Sequence, residues 1–173
     1  MRVINYIEQG GPIMYLLLLI NMVGFAIMFY KFYMFYKEKN KISDRVKSLE
    51  ESLAEKKIAT KDPSIIIELS KKEIAEHMRK LESGVNTIKI IATISPLLGL
   101  LGTVVGILIA FQVIASTGLN SPENFAQGIS MALITTVGGL IVAIPHYIGH
   151  SYLLGILDSL ETKLEKELLR GLL

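Results

Sequence analysis

The hydrophobic pattern is dominated by one long apolar region, residues 90–157, in which Glu123 is the only formally charged side chain. Glu123 follows the turn-forming run 116–122, so an uncharged segment lies on each side of it. Each segment is longer than the roughly 20 residues that a helix needs to cross a bilayer. The pattern therefore predicts a membrane hairpin, with spans at residues 89–115 (TM2) and 123–149 (TM3) joined by a loop at 116–122.

A third apolar run lies near the beginning of the chain and has no charge from residue 12 until Lys31. It is too long for the apolar part of a secretory signal, and no Ala-x-Ala-like site follows it. We therefore predict a retained transmembrane helix, TM1, over residues 12–36. Aromatic residues and lysines mix from Tyr30 to Lys37, as is typical of a segment that passes through the lipid headgroup layer.

The distribution of basic residues predicts the orientation of these spans. Twelve lysines and arginines lie between Lys37 and Lys80. The 116–122 loop has none, and the N-terminus has only Arg2. Because Lys and Arg concentrate on the cytoplasmic side, the first two spans should be joined in the cytoplasm. The predicted soluble segments are a periplasmic N-terminus at 1–11, a cytoplasmic helical region at 37–88 and a cytoplasmic helical tail at 150–173.

The polar segments are predicted to be helical. Asp62-Pro63 is typical of a helix start, and no strong breaker except Gly84 precedes Pro96, so one helix should continue into TM2. His77 lies among charged residues and is expected to be a solvated surface residue. The apolar positions at helical spacing are Ile65, Ile66, Leu69, Ile74, Met78 and Leu81 in this region, and Leu153, Leu157, Leu160, Leu164 and Leu168 in the tail.

TM2 and TM3 carry small residues at about four-residue spacing. In lipid the hydrophobic effect does not hold helices together, so such residues mark faces where two backbones approach closely. We expect these faces to pack against protein. The predicted helix-packing residues are Gly99, Gly102, Gly106, Gly128, Ala132 and Gly139.

The hydroxyl residues of the two spans allow two interpretations. Each hydroxyl can bond to a carbonyl of its own helix, and a purely structural role is then sufficient. However, Thr103 and Thr136 lie at similar depth on opposed helices, and each belongs to a small-residue face. We therefore predict a shared polar interior. The predicted pore-lining residues are Thr103, Thr136, Thr135 and Ser95.

Composition limits the classes of function. The chain is 51% hydrophobic and 20% charged with a net charge of +2, which fits a membrane protein with soluble parts and gives no indication of nucleic-acid binding. It has no Cys, and no soluble catalytic motif, enzyme activity or cofactor is predicted. His146 and His150 could form half of a metal site, but no third ligand is evident nearby, so no metal is predicted.

The spans contain no Asp, Glu, Lys or Arg at mid-depth. Ion and proton pathways through membranes normally include such residues. If the chain takes part in proton conduction, another polypeptide must supply the titratable carboxylate.

Two segments, residues 95–106 and 128–145, resemble the signature of the TolQ/ExbB/MotA proton-channel family, and the opening Gly11-Pro12-Ile13-Met14 is similar to the start of TM1 in ExbB and TolQ. Three spans rather than four, without a large extra cytoplasmic domain, favour the ExbB and TolQ branches over MotA, with ExbB the most similar. The resemblance implies an all-α protein of the bacterial inner (cytoplasmic) membrane. Its long TM2 and TM3 helices would extend into the cytoplasm, and it would form a cyclic homo-oligomer, a pentamer in this family.

The resemblance also implies a partner and residue roles. The ring would surround a dimer of an ExbD-like single-span protein that carries a membrane aspartate, and the output would reach TonB. By motif position, Thr103 and Thr136 correspond to threonines that face this aspartate. Met131 occupies a position that is often Glu in ExbB and TolQ, although MotA-like members also lack that acid.

The expected function is conversion of proton-motive force into mechanical work for TonB-dependent outer-membrane import. A TolQ-like subunit of the Tol envelope system is one alternative, and a passive membrane scaffold is another. A small transporter would need an internal repeat or a broken helix with polar residues at the midplane, and neither is evident in the sequence.

Overall fold

The computed structural model describes residues 3–118 and 122–172, except 43, 45, 49, 50 and 52–62. Within that part of the chain there is no strand, which confirms the prediction of an all-α protein. Three helices among the described residues are long and apolar enough to cross a membrane, as predicted. The helices whose bounds are described are α1 Val3–Gln9, α2 Gly11–Lys39, α3 Pro63–Glu82, α4 Val85–Thr117 and α5 Pro122–Leu172.

The helix predicted to run from Pro63 into the second span is interrupted. α3 ends at Glu82 and α4 begins at Val85, with Gly84 between them at φ 87°. A residue in this left-handed conformation just after a helix terminates it, and glycine adopts the conformation without the steric cost of a Cβ. The prediction of one continuous helix was wrong because Gly84 acts as a helix stop rather than as a tolerated interior glycine.

Contacts divide the chain into two compact units, of which the first comprises Met1–Met28 and Thr87–His150. It contains the N-terminal part of α2, most of α4 and the N-terminal part of α5. Its central apolar cluster takes one residue from each of these three helices. The cluster is formed by Leu17, Ile91 and Val142, with Ile13, Ile20 and Leu98 packed against it.

The second unit comprises Phe29–Asn86 and Ser151–Leu173. Most of the helical-period apolar residues predicted in its sequence are buried, whereas Ile65 is exposed. The side chains of Ile66 and Leu168 lie outside the described part of the chain. The buried members of the predicted faces are Ile74, Met78, Leu81, Leu153, Leu157, Leu160 and Leu164.

Two polar contacts join α3 to α2 within the second unit. The buried Lys31 Nζ donates a hydrogen bond to the carbonyl oxygen of Leu81, in the last turn of α3, at 3.1 Å. A cation is favourably placed there because the C-terminal end of a helix carries a partial negative charge. His77 Nε2 lies 3.0 Å from Glu38 Oε1. The prediction of His77 as a solvated residue was therefore wrong.

Gly84→Ala tests the helix stop. Alanine at a left-handed position costs about 1–2 kcal/mol, and its Cβ would lie 3.2 Å from Lys31 Cε. We expect a loss of unfolding free energy of that size, measured by chemical denaturation of the detergent-solubilised chain. Gly155→Ala is the matched control, since an added Cβ there has no neighbour within 4 Å and should stabilise the helix by about 0.5–1 kcal/mol. Equal effects of the two substitutions would contradict the assignment.

Candidate functional site

The central feature of the first unit is the close approach of the antiparallel helices α4 and α5. A Cβ built on Gly106 would lie 2.7 Å from the carbonyl oxygen of Gly128, and one built on Gly128 would lie 2.8 Å from that of Gly106. Ala132 lies beside the same contact, since its Cβ is 2.9 Å from the Cβ built on Gly106. Only residues without bulky side chains allow two backbones to come this close.

The same contact continues for several turns toward the other end of α4. A Cβ on Gly139 would lie 2.5 Å from the carbonyl oxygen of Ser95, and one on Gly99 would lie 2.9 Å from that of Thr135. Gly102 faces the Thr135 side chain directly. The six residues that the sequence proposes for helix packing thus lie along the line where α4 meets α5.

The four hydroxyl residues proposed for a pore lining fall into two pairs. Ser95 and Thr135 are fully buried within the chain. Ser95 Oγ donates to the Ile91 carbonyl at 2.7 Å, and Thr135 Oγ1 lies within 3.0 Å of both the Met131 and the Ala132 carbonyl oxygens. These two hydroxyls are satisfied by their own helices, as is common for Ser and Thr in membrane helices.

Thr103 and Thr136 form the second pair, and both are only partly buried. Thr103 Oγ1 donates to the carbonyl oxygen of Leu100 at 2.6 Å. Thr136 Oγ1 lies 3.3 Å from the carbonyl oxygen of Gly99 on the facing helix and 3.4 Å from that of Ala132 on its own. Thr136 thus contacts α4 at Gly99, and Thr103 follows Gly99 by one helical turn. The two partly exposed hydroxyls therefore lie near the same position along the α4–α5 pair.

Met131 lies in the N-terminal part of α5, about ten residues after Pro122, whereas His146 lies near the middle of that helix. It borders a cavity of about 310 Å³ that is also lined by Gln9, Gln127 and Gly128. Its Cε would be 3.2 Å from a Cβ built on Gly11. No acidic side chain lines this cavity within the described residues.

His146 is a buried polar residue whose environment the sequence did not predict. Its Nδ1 donates to the Val142 carbonyl at 2.7 Å, and its ring lies 4.8 Å from that of Phe25. Nε2 is buried without a hydrogen-bond partner among the described residues and lies directly against Gly24. In the described part of the chain no group of three His, Cys, Asp or Glu residues could hold a metal ion.

Gly24 is therefore a packing residue that the sequence analysis missed, and Gly138 and Gly149 are two others. A Cβ on Gly138 would lie 2.8 Å from Met14 Cε, and the Gly149 position lies against the sulfur of Met28. All three lie where α2 packs on α5. The sequence offered one indication of this contact, a single glycine within the bulky apolar run of the first span.

A model of the MotA/TolQ/ExbB proton channel family matches residues 38–166 of the chain. The chain belongs to this family. This is a family of proton channels and not of enzymes, which confirms the prediction that the chain is not an enzyme.

Curated relatives place the chain nearest to ExbB within the family. Biopolymer transport protein exbB1 of Vibrio cholerae is 40% identical over 96 residues, which cover 55% of this chain and 42% of the relative. A putative ExbB homolog of Methanothermobacter thermautotrophicus is 36% identical over 110 residues, covering 63% and 38%. ExbB of Aquifex aeolicus is 38% identical over 82 residues, covering 47% and 55%. The match thus spans about two fifths to one half of each relative.

Together, the family match and the three apolar helices support a multi-pass protein of the inner membrane. The candidate functional site therefore consists of the glycines of the α4–α5 contact and the two partly exposed threonines beside it, Thr103 and Thr136.

Gly106→Ala tests the α4–α5 contact. The new methyl group would meet the Gly128 carbonyl, which is backbone and cannot rotate away. We expect a loss of about 1–3 kcal/mol of unfolding free energy, typical of overpacking. Thermal denaturation followed by circular dichroism would measure it, with the open position Gly155→Ala as control. An unchanged melting temperature would contradict the close approach of the two backbones at this position.

Proposed function

We propose that the chain is an ExbB-like subunit of a proton-driven motor that supports biopolymer transport across the bacterial envelope. The observation that carries this proposal is the absence of Asp, Glu, Lys and Arg at mid-depth in the apolar spans of a chain that belongs to a proton channel family. Protons need a titratable group at mid-membrane. An acid must therefore come from another polypeptide, and the threonine-bearing face is where it would dock.

The proposed assembly is a ring of identical chains, a pentamer in this family, around the membrane helices of an ExbD-like partner. An apolar stripe on α4 supports it, because these side chains are exposed in the single chain and need lipid or protein beside them. At 100° per residue, Thr103 lies between this stripe and the glycines that face α5. Members of the stripe include Leu97, Leu100, Leu101, Val104, Leu108 and Phe111.

The hydroxyl geometry suggests how the threonines respond to the charge of the partner's aspartate. Thr103 donates its only hydroxyl hydrogen to the Leu100 carbonyl, and Thr136 has the Gly99 and Ala132 carbonyls within reach. An ionised carboxylate can only accept hydrogen bonds, so it binds when these hydrogens turn toward it. A protonated acid does not need them, and the hydroxyls can return to their carbonyls.

This exchange gives the proposed working cycle. Proton entry from the periplasm neutralises the partner's aspartate and weakens its contact with one subunit's threonines, so the partner helices move toward the next subunit. Release of the proton to the cytoplasm restores the contact there. A proton crossing the membrane supplies only about 2.3 kcal/mol per 100 mV, which suits small steps between nearly equivalent positions in a symmetric ring. Through TonB, the movement would energise outer-membrane import.

The proposed topology places the N-terminus in the periplasm and the C-terminus in the cytoplasm. The twelve basic residues between Lys37 and Lys80, against none in the 116–122 loop, support it. Ser95 and Thr135 would stabilise the helix pair behind the pore-facing threonines, since both are buried within the chain.

Removing the two threonine hydroxyls tests the proposed role. Thr103→Val and Thr136→Val keep the side-chain shape and should each slow proton flux about tenfold, the effect of losing a hydrogen bond to a charged group. Flux would be measured with a pH-sensitive dye in liposomes that contain the chain and its partner. Thr136→Ser should restore most of it. Thr93→Val is the control, because Thr93 is exposed and donates only to the Lys89 carbonyl of its own helix. Full flux in both valine variants would favour a passive scaffold.

The need for a partner acid is tested with the purified chain alone. It should not dissipate a pH gradient across liposomes, whereas the complex with an ExbD-like partner should, and asparagine in place of the partner's membrane aspartate should abolish the flux. Mass measurement of the detergent-extracted complex reports the ring size and partner stoichiometry in the same preparation. Proton leak through the chain alone would exclude the proposal that the partner must supply the titratable acid.

A further inference from the structure

A cavity of about 520 Å³ lies between α2 and α5 in the second unit. One wall is formed by the rings of Phe32 and Tyr152, which stack with centroids 5.5 Å apart and an interplanar angle of 25°. Gly155 opens the cavity on the α5 side, since a Cβ there would meet nothing within 4 Å. The volume is in the range of sites that bind small molecules.

The cavity changes from apolar to cationic along both helices in the same direction. On α2, Phe32 is followed by Lys39, about 10 Å further along the helix. On α5, Tyr152 is followed by Lys163, about 16 Å further along. In this direction both helices pass from their apolar segments into their charged segments. The aromatic end of the cavity therefore lies next to the apolar segments, and the lysine end lies next to the charged ones.

Among the described residues, no acidic side chain lines the cavity, and the ion pairs His77–Glu38 and Arg170–Glu167 involve neither Lys39 nor Lys163. Within the part of the chain that the structure describes, the positive charge at the cationic end is therefore not neutralised by a contacting acid. The chemistry that complements two ammonium groups beside an aromatic wall is that of an amphiphile with an anionic head.

We propose that this cavity binds an anionic phospholipid of the surrounding membrane. The phosphate lies between Lys39 and Lys163, with the Ser159 hydroxyl also at the lining. The glycerol and the first part of the acyl chains lie over the Phe32–Tyr152 pair. An acidic protein segment would match the lysines but not the apolar wall beside them, whereas a lipid matches both.

The absence of tryptophan from the chain allows a local measurement. Tyr152→Trp places a single tryptophan in the cavity wall and keeps an aromatic ring against Phe32. The full chain with its partner is reconstituted in phosphatidylcholine bilayers containing brominated phosphatidylglycerol, and bromine quenching of the tryptophan reports lipid binding at this position. Brominated phosphatidylcholine in place of phosphatidylglycerol gives the reference for lipid without net charge.

We expect phosphatidylglycerol to be favoured by about 25-fold, or about fivefold for each lysine near the membrane surface. Lys39→Gln and Lys163→Gln, each made in the tryptophan background, should each reduce this preference about fivefold. Lys166→Gln is the matched control, since Lys166 is an exposed lysine of α5 that does not line the cavity. Gly155→Leu should fill the cavity and abolish the preference, with unchanged helical circular dichroism showing that the chain is folded.

Four results would overturn the proposal. Equal quenching by the two lipids would remove the charge selectivity, and an equal loss with Lys166→Gln would assign it to general surface charge. Competition by inorganic phosphate at millimolar concentration would identify a free-anion site rather than a lipid site. Quenching seen with the chain alone but lost in the complex with its partner would show that protein, not lipid, fills the cavity.

Discussion

The structure depends on one constraint, which is that hydrocarbon provides no hydrophobic drive to hold helices together. α4 and α5 meet this constraint by bringing their backbones close along a line of small residues from Ser95–Gly139 to Gly106–Gly128. The contact also determines which hydroxyl groups remain accessible to another molecule. Thr135 is buried within it, whereas Thr136, one residue away on α5, lies at its edge and remains partly exposed.

Much of the fold could be predicted because it depends on local sequence properties. Apolar length and the absence of charge were sufficient for three spans, and the helical period of the leucines predicted the buried face of the tail. The residues proposed for helix packing lie where α4 approaches α5, since in lipid small side chains at regular spacing have few other uses. That Thr103 and Thr136 face a pore remains a prediction, because a pore requires further chains.

What could not be predicted has a common physical cause. The contact between Gly24 and His146 joins distant parts of the sequence, and a lone glycine in an apolar helix does not indicate its partner. Gly84 fits both a helix interior and a helix stop, and only the backbone conformation decides. Lys31 donates to the backbone carbonyl of Leu81. Because every residue has a backbone carbonyl, the sequence does not indicate which one accepts this hydrogen bond.

The bond between Lys31 and Leu81 has a consequence for how α2 accommodates bilayers of different thickness. A helix whose apolar length differs from the thickness of the hydrocarbon can tilt or kink, or the lipid around it can thicken or thin. Here the ammonium group of Lys31 in α2 is bonded to the last turn of α3, a helix whose many charged side chains are costly to place in hydrocarbon. Tilting that carries Lys31 deeper would break this bond or draw those charges toward the lipid, so deformation of the lipid must absorb more of the mismatch.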